Sequence, residues 1–267
     1  MLPDVRKAIF FFKRGLRMLL AIVIGLFLLL VLLMFFPERI IFQPPRWQGM
    51  PETPLLIDSG REKIAALYHP GDSWVILYSH GNGEDLSTVR HRLRQYQQRG
   101  FAVIGYDYQG YGASTGKASV EGACRNIEAV YRYLTESEGV PPEKILVTGF
   151  SVGSGASCWL ARNFPIGGLI LEAPFASAFQ AVLPFSNLPG DRFLNHRHIR
   201  QCQAPVLIIH GEKDRIVPVR NGKKLFAAAS EPKKLILVPE AGHYDFEERL
   251  GEKYWQAYQQ FIESLPK

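Results

Sequence analysis

The hydrophobic residues of the chain follow two different patterns. Residues 18–36 form a run of 19 residues without a charged side chain. From about residue 64 onwards, short apolar runs alternate with longer segments in which apolar residues recur at helical spacing. Most of the short runs are continuous rather than alternating, which is typical of strands covered on both faces. This alternation predicts an α/β fold, with a mostly parallel sheet and helices on both faces.

Seven of the short runs are predicted to be strands. They are Ile64–Tyr68, Trp74–Ser79, Phe101–Tyr106, Ile145–Thr148, Leu169–Leu171, Val206–Ile209 and Leu235–Val238. Five helices are predicted near residues 86–99, 119–136, 152–162, 219–229 and 245–264. Asp245 and Glu248, at the start of the last helix, have the spacing of a capping box. Ligands bind at the carboxyl ends of parallel strands, so chemistry is expected in the turns after these strands.

The apolar run at residues 18–36 has the properties of a membrane span. A helix of that length measures about 28 Å, close to a hydrocarbon core of about 30 Å. The run lacks the polar stripe of a buried helix in a soluble protein. It ends in Phe35-Phe36-Pro37-Glu38, which is not the small-x-small pattern of a signal-peptide cleavage site. We therefore expect an uncleaved, single-pass membrane anchor.

The charges that flank this run predict its orientation. Residues 1–17 contain five Lys or Arg residues and one Asp, whereas only Arg39 and Arg46 follow the run closely. The positive-inside rule then places the amino terminus in the cytoplasm and the rest of the chain outside it, in the periplasm if the protein is bacterial. Residues 1–17 carry +4 of the net charge of +6. The remaining charge is nearly balanced, so a nucleic-acid partner is not expected.

The composition after the apolar run is that of an ordinary globular protein. Over the whole chain, apolar residues make up 47% and charged residues 21%, which excludes a disordered or low-complexity chain. Three cysteines without a Cys-x-x-Cys pair exclude a disulfide scaffold and a zinc ribbon, and neither a metal ion nor a cofactor is expected. The predicted parts are a basic cytoplasmic leader (1–17), a transmembrane helix (18–36), a proline-rich stalk (37–54) and a globular domain (55–267) with a cap inserted at about 174–203.

A candidate nucleophile lies between a predicted strand and a predicted helix. Gly149-Phe150-Ser151-Val152-Gly153 follows the predicted strand Ile145–Thr148 and precedes a helix of small residues. This is the context of a nucleophile elbow, in which a sharp turn exposes the serine hydroxyl. Gly112-Ala113-Ser114-Thr115-Gly116 has the same spacing but lies in a glycine-rich loop without that context. Ser151 is therefore the predicted nucleophile.

A serine hydroxyl needs a base to accept its proton and an acid to orient that base. Four histidines follow Ser151 in the chain. His243 lies in a loop directly after the last predicted strand, at a carboxyl end of the sheet. His196 and His198 fall in an irregular insertion, and His210 closes a strand. We therefore predict that His243 is the general base.

Two carboxylates are candidates for the orienting acid. Asp214 lies in the turn after the penultimate predicted strand, and Glu172 ends the strand before that. The ordered Gly-x-x-Asp turn favours Asp214, with Glu172 as the alternative. Asp245 is too close to His243 in the chain and is interpreted as a helix N-cap.

The loop after the second predicted strand is a candidate oxyanion hole. Its glycine-rich sequence, residues 79–83, exposes backbone N–H groups. Asn82 is assigned the first donor, with its neighbour Gly81 as the alternative, and Val152 is the expected second donor. His80 and Asp85 also form a His-x4-Asp pattern, which is found in glycerolipid acyltransferases and would make His80 the base.

Five segments, taken together, resemble the α/β-hydrolase superfamily. They are HGNGED (80–85), DYQGYGASTG (107–116), GFSVGSG (149–155), HGEKDRIVP (210–218) and EAGHYDF (240–246). The likeness spans roughly residues 55–265 and is to the membrane-anchored serine hydrolases, a branch that includes protein depalmitoylases. It implies about eight strands, a Ser151–Asp214–His243 triad, and hydrolysis of esters, thioesters or amides. Membrane depalmitoylases usually have a Cys-rich amino terminus, whereas this chain has no cysteine before Cys124.

The insertion at 174–203 is rich in apolar residues and is predicted to form a short cap over the site. Phe175, Phe179 and Leu183 are the residues of this cap that we expect to contact substrate. An apolar cap on a membrane-tethered domain suits acyl chains. The sequence therefore predicts a membrane-anchored serine hydrolase of the esterase, lipase or thioesterase type, acting on a small-molecule or lipid acyl substrate.

Other functions stay open at the level of the sequence. An acyltransferase could use His80 and Asp85, or could pass the same acyl-enzyme to an alcohol instead of water. A serine peptidase would use the same triad. A non-catalytic, tethered binding module would need none of these groups.

Overall fold

The computed structural model describes residues 5–35, 37–71, 73–182 and 190–265. Eight strands form one sheet in the order β1-β2-β4-β3-β5-β6-β7-β8. They are β1 Leu55–Ser59, β2 Glu62–His69, β3 Val75–Ser79, β4 Ala102–Tyr106, β5 Ile145–Phe150, β6 Gly168–Glu172, β7 Val206–Gly211 and β8 Lys233–Val238. The pairings from β4 through β3 to β8 are parallel, and those of β1 with β2 and of β2 with β4 are antiparallel. The predicted mostly parallel sheet of eight strands is confirmed.

Ten α-helices are present in the described part of the chain. They are α1 Val5–Phe35, α2 Pro37–Ile41, α3 Leu86–Gln98, α4 Val120–Arg132, α5 Gly153–Asn163, α6 Ala178–Val182, α7 Asn195–His198, α8 Arg220–Ala228, α9 Phe246–Leu250 and α10 Glu252–Glu263. The sheet separates two hydrophobic cores. One core receives apolar side chains from α4, α5 and α8, and the other receives them from α3 and α10.

The central strands are buried on both faces, as their continuous apolar runs predict. In β3, Leu77 packs into one core, while Ile76 and Tyr78 pack into the other. Strands β3 to β7 have no exposed residue. Helices cover both faces of the sheet but not the carboxyl ends of these strands. The loops that follow β3, β5, β7 and β8 converge at those ends.

The first strand was missed by the sequence pattern. In β1 only Ile57 and Ser59 are buried, because β1 is an edge strand that pairs with β2 alone. Two buried positions are too few to give a recognisable alternation. The seven predicted runs correspond to β2 through β8.

The predicted helix at 245–264 is instead two helices, and the correction has a local cause. Gly251 has a φ of 53° between α9 and α10, a conformation that glycine adopts easily. The predicted capping box is also wrong. The Asp245 carboxylate accepts from the N–H of Gly242 at 2.6 Å and pairs with Arg249, rather than capping the first turn.

Among the described residues, no helix is at once long enough and apolar enough to cross a membrane. The predicted span at 18–36 extends beyond the described side chains, because those of residues 29–35 and the whole of Phe36 lie outside them. The span is therefore not confirmed and stays a prediction. Residues 1–4 of the predicted leader also lie outside the described residues.

Candidate active site

The nucleophile elbow is formed where β5 meets α5. Ser151 has a φ of 50°, which is uncommon for a residue with a side chain and costs about 1–3 kcal/mol. The turn is held on both sides of the serine. Its N–H donates to the carbonyl of Glu172 at 2.9 Å, and its carbonyl accepts from the Ser154 hydroxyl at 2.6 Å. These bonds tie the strained turn to the end of β6 and to the first turn of α5.

The two glycines of the motif allow the backbones to approach closely. A Cβ at Gly149 would lie 2.5 Å from the Ser157 Oγ, and one at Gly153 would lie 2.1 Å from the carbonyl oxygen of Ser79. Real Cβ atoms do not tolerate such distances, so only glycine lets α5 pack against β3 and β5. The Gly-x-Ser-x-Gly spacing therefore has a steric reason at both ends.

Ser151, His243 and Asp214 form one hydrogen-bonded chain. His243 Nε2 lies 2.9 Å from the Ser151 Oγ, and His243 Nδ1 lies 2.7 Å from the Asp214 Oδ2. An ionised carboxylate only accepts hydrogen bonds, so Nδ1 carries the ring proton and Nε2 is left to accept from the serine hydroxyl. All three residues are buried. The three residues predicted from separate loops are thus brought together.

Asp214 is fixed by its own turn and by a second histidine. Its Oδ1 accepts from the N–H groups of Ile216 and Val217, both at 2.8 Å. His210 Nε2 donates to the carbonyl of Val217 at 2.8 Å and lies 3.3 Å from the Asp214 Oδ2. Burial alone would raise the pKa of Asp214, but the hydrogen bonds from His210 and His243 outweigh it and hold this pKa well below its usual range. The carboxylate therefore stays ionised beside His243.

The loop after β3 lies against the elbow. The N–H of Gly81 donates to the Glu84 Oε2 at 2.6 Å, which occupies that donor and favours Asn82 as the oxyanion donor. Among the described residues, the N–H groups of Asn82 and Val152 have no protein acceptor. The Asn82 Oδ1 accepts from the Tyr111 hydroxyl and from the N–H of Gln43, both at 2.8 Å.

Ser114, in the second Gly-x-Ser-x-Gly sequence, has a structural role. Its hydroxyl donates to the carbonyl of Asp107 at 2.8 Å and accepts from the N–H of Ala65 at 2.9 Å. These hydrogen bonds tie the glycine-rich loop to β2 and to Asp107, the residue that follows β4. The hydroxyl is therefore engaged with the backbone, away from His243.

Glu172, the alternative acid, faces away from His243. Its Oε1 accepts from the hydroxyls of Tyr254 and Tyr258, and its Oε2 lies 3.5 Å from Arg92. Burial raises the pKa of this carboxyl, although Arg92 and the two tyrosines counteract the effect. Glu172 therefore belongs to a buried network between β6, α3 and α10.

His80 and Asp85 of the His-x4-Asp pattern make contacts with other residues. The Asp85 carboxylate caps α3 by accepting from the N–H of Thr88 at 3.1 Å. The ring of His80 lies against Tyr108, and its Nε2 is 3.5 Å from the Asp107 Oδ1. Burial would lower the pKa of His80, but Asp107 outweighs it and raises this pKa. The structure does not join the two residues into a catalytic pair.

The predicted cap includes α6 and α7, but residues 183–189 lie outside the described residues, and Leu183 is among them. Phe175 and Phe179 are both buried, and Phe175 packs against Phe193. Their contact with substrate stays a prediction. Within the described residues, no group of three or more His, Cys, Asp or Glu side chains could hold a metal ion.

Three residues around the oxyanion loop were not singled out from the sequence. They are Gln43, Glu84 and Tyr111, which bind the backbone or side chain of that loop. Gln43 acts through its backbone N–H, which leaves no trace in a residue pattern. Tyr111 lies within the DYQGYG segment, whose glycine-rich pattern and family likeness assign no role to this tyrosine.

Comparisons with known proteins indicate the family of this chain. A family profile described as serine aminopeptidase, S33, matches residues 72–195. Human alpha/beta hydrolase domain-containing protein 17B is 32% identical over 206 residues, which cover 75% of this chain and 71% of that protein. The chain belongs to the α/β-hydrolase superfamily. An uncharacterised protein of Mycobacterium tuberculosis is also 32% identical, over 210 residues, with 75% of each chain covered.

Solved structures share the α/β-hydrolase fold. An esterase of Pyrococcus furiosus superimposes with a TM-score of 0.70 at 17% identity, covering 84% of this chain and 99% of that one. The esterase domain of a Rhodothermus marinus protein gives 0.61 at 20% identity, with 79% and 99% covered. These likenesses show the fold of this chain.

Proposed function

We propose that this hydrolase is a membrane-anchored serine hydrolase that cleaves carboxylic esters or thioesters through an acyl-enzyme on Ser151. The observation that carries this proposal is the hydrogen-bonded chain from Ser151 through His243 to Asp214. It lies at the carboxyl ends of the strands, beside the backbone N–H groups of Asn82 and Val152, which have no acceptor among the described residues. Nucleophile, base, orienting acid and oxyanion donors are the four parts that acyl transfer requires.

In the first half-reaction, the Ser151 Oγ attacks the substrate carbonyl carbon while His243 Nε2 accepts the serine proton. The carbonyl oxygen becomes an oxyanion that the N–H groups of Asn82 and Val152 bind. One such donor is worth about 3–4 kcal/mol of barrier in comparable sites. The tetrahedral intermediate then collapses, and His243 returns the proton to the departing alcohol or thiol. Ionised Asp214 stabilises the imidazolium throughout.

In the second half-reaction, a water molecule attacks the acyl carbon bound to Ser151. His243 Nε2 accepts a proton from this water, and the same two N–H groups bind the second oxyanion. Collapse releases the carboxylic acid and returns the proton to the Ser151 Oγ. Bond making and breaking therefore balance without a metal ion or cofactor.

An acyl or lipid-like substrate at a membrane is part of the same proposal. It is supported by the apolar cap sequence and by the exposed surface of α1. The large apolar side chains of α1 between Met18 and Leu28 are 49–63% exposed. Such a surface is stabilised in hydrocarbon rather than in water. With five Lys or Arg residues before the run, the amino terminus is cytoplasmic and the catalytic domain lies outside the cytoplasm.

Labelling with a fluorophosphonate probe tests the serine mechanism. Membranes containing the full chain are treated with the probe, and the two serines in Gly-x-Ser-x-Gly sequences serve as a matched pair. Ser151→Ala abolishes labelling, because the probe bonds to the activated hydroxyl. Ser114→Ala keeps most of it. Retained labelling of Ser151→Ala would refute the assignment of the nucleophile.

Membrane anchoring has a separate test. After a carbonate wash of bacterial membranes, the protein stays in the pellet, and alkaline phosphatase fused after residue 267 is active. Release into the wash would contradict the anchor, and an inactive fusion would reverse the orientation.

A peptidase is the second candidate, because the matching family profile is described as serine aminopeptidase. Purified protein is compared on p-nitrophenyl esters and on aminoacyl p-nitroanilides. The esterase proposal expects the esters to be preferred, whereas preference for the anilides would replace it. Added glycerol separates hydrolysis from acyl transfer, since an acyltransferase would give the glycerol ester as the main product.

A further inference from the structure

We propose that Phe42 and Gln43, the two residues that follow α2, are positioning residues for the oxyanion donor Asn82. The segment that joins the amino-terminal helices to the domain would then be part of the catalytic apparatus. This inference rests on the proposed function, because it assigns a role to residues that contact the oxyanion loop, residues 80–85. It extends that function by coupling the amino-terminal segment to the reaction.

Phe42 anchors this segment between two loops. Its side chain is 5% exposed, although it lies in a proline-rich stretch that the sequence predicts to be a stalk. Its ring meets those of Tyr108 and Tyr111 edge-on, with centroids 6.2 Å and 6.3 Å away. The ring of Phe193, from the predicted cap, lies 6.0 Å away on the same contact surface. One aromatic side chain thus joins the loop after β4 to the cap.

Gln43 closes a triangle of hydrogen bonds with the oxyanion loop. Its N–H points at both the Asn82 Oδ1, at 2.8 Å, and the Tyr111 hydroxyl oxygen, at 3.0 Å. The Tyr111 hydroxyl in turn donates to the same Asn82 oxygen at 2.8 Å. Burial raises the pKa of Tyr111 above its ordinary value, so this hydroxyl keeps the proton that it donates. The Asn82 side chain is therefore held by two donors.

The hydrogen bonds of the Asn82 side chain restrict the backbone of this residue, because the neighbouring residues restrict it little. Asn82 lies between Gly81 and Gly83, and Gly83 has a φ of 75°. Glycines allow the peptide groups on either side to rotate. The bond from Gly81 to Glu84 fixes one side of the loop, and the triangle fixes the other. The turn itself is closed only by a long backbone bond from the Glu84 N–H to the Gly81 carbonyl, at 3.4 Å, so loss of the triangle loosens the direction of the Asn82 N–H.

Loss of this alignment has a specific kinetic consequence. The oxyanion exists only in the transition state and the tetrahedral intermediates, so a misdirected donor lowers kcat and leaves KM nearly unchanged. Displacements of about 1 Å at such sites lower rates by up to about a hundredfold. A purely structural role for the segment would lower stability without a selective effect on kcat.

The test compares two substitutions at one position in the full chain, purified in detergent. Gln43→Pro removes the N–H, whereas Gln43→Ala keeps it and changes only the side chain. Tyr111→Phe is a second, independent variant that deletes one donor to Asn82 without altering the backbone. The readouts are kcat and KM on p-nitrophenyl butyrate, affinity for a boronic acid that mimics the tetrahedral intermediate, and the thermal unfolding midpoint.

We expect Gln43→Pro and Tyr111→Phe to lower kcat by about tenfold to a hundredfold, with boronate affinity reduced in parallel and KM within about twofold. Gln43→Ala retains the N–H and is therefore expected to lose less kcat than Gln43→Pro. The inference is overturned if both variants fold and keep wild-type kcat, or if only KM changes, while Ser151→Ala is inactive. Activity in Ser151→Ala would instead overturn the proposed function. Should Gln43→Pro fail to fold, Tyr111→Phe decides by the same criteria.

Discussion

Replacing Asp214 with asparagine separates the charge of this residue from its shape. In the wild type, Oδ1 accepts from two backbone N–H groups, of Ile216 and Val217, while Oδ2 faces His243 Nδ1 at 2.7 Å. The amide of asparagine has one oxygen and one NH2 group. Its oxygen takes the Oδ1 position, because two N–H groups point there. The NH2 group is then directed at His243 Nδ1.

The size of the effect follows from the proton on His243. Because Nδ1 faces an NH2 group, it must accept a hydrogen bond, and the ring proton moves to Nε2. Nε2 can then no longer accept the hydrogen bond from the Ser151 hydroxyl. The wrong tautomer costs about 10⁴ in kcat, or about 5.5 kcal/mol. Flipping the amide would restore the tautomer but leave two backbone N–H groups unsatisfied, at about 1–3 kcal/mol each. We therefore expect Asp214→Asn to lower kcat by about 10² to 10⁴, depending on which arrangement costs less.

The assay is hydrolysis of p-nitrophenyl butyrate, with kcat and KM measured separately and the rate of fluorophosphonate labelling as a second readout. Thermal unfolding of Asp214→Asn checks that the fold is intact. A kcat within about tenfold of the wild type, in a folded variant, would refute the tautomer argument. If Glu172→Gln then caused the larger loss, the orienting acid would come from β6 instead.

Three other predictions concern the elbow, the buried carboxyl and the response to acid. Gly153→Ala places a Cβ 2.1 Å from the Ser79 carbonyl oxygen. We therefore expect the free energy of unfolding, measured by urea titration, to fall by about 1–3 kcal/mol or more. An unchanged urea midpoint would contradict the close approach of the two backbones. Glu172→Gln leaves kcat within a few-fold, because this side chain bonds to the tyrosines of α10 and not to His243. The depressed pKa of Asp214 stabilises the fold above the ordinary carboxyl pKa, and this contribution is lost as pH falls through the folded-state pKa. Urea unfolding of wild type and Asp214→Asn therefore differs most near neutral pH and converges in acid; a constant difference would argue against this linkage.

The sequence was sufficient to predict the elements whose residues are buried along their whole length. Strands β3 to β7 are continuous apolar runs because both faces of the sheet are covered. Ser151 and His243 could be selected because each directly follows or precedes a clear element. The edge strand β1 and the helix break at Gly251 could not be predicted, since each depends on one or two residues and their tertiary contacts.

The surroundings of the oxyanion loop could not be predicted from the sequence. The bond from Gln43 to Asn82 spans 39 positions and uses a backbone N–H, a group that nearly every residue possesses. The choice between Gly81 and Asn82 also required the position of the Glu84 carboxylate. Hydrogen bonds between distant backbone and side-chain atoms follow from packing, which a linear pattern does not encode.

The short connection between α1 and the oxyanion loop limits the distance between the catalytic groups and the end of α1. Seven residues separate Phe35 from Gln43, and α2 makes five of them helical. This length, with the Asn82 side chain, keeps the oxyanion donor within about 25 Å of the end of α1. With α1 embedded as proposed, turnover would follow the mole fraction of substrate in the bilayer rather than its bulk concentration. Dilution with inert lipid or detergent would then slow the enzyme at constant total substrate, a surface-dilution behaviour that a freely diffusing hydrolase lacks.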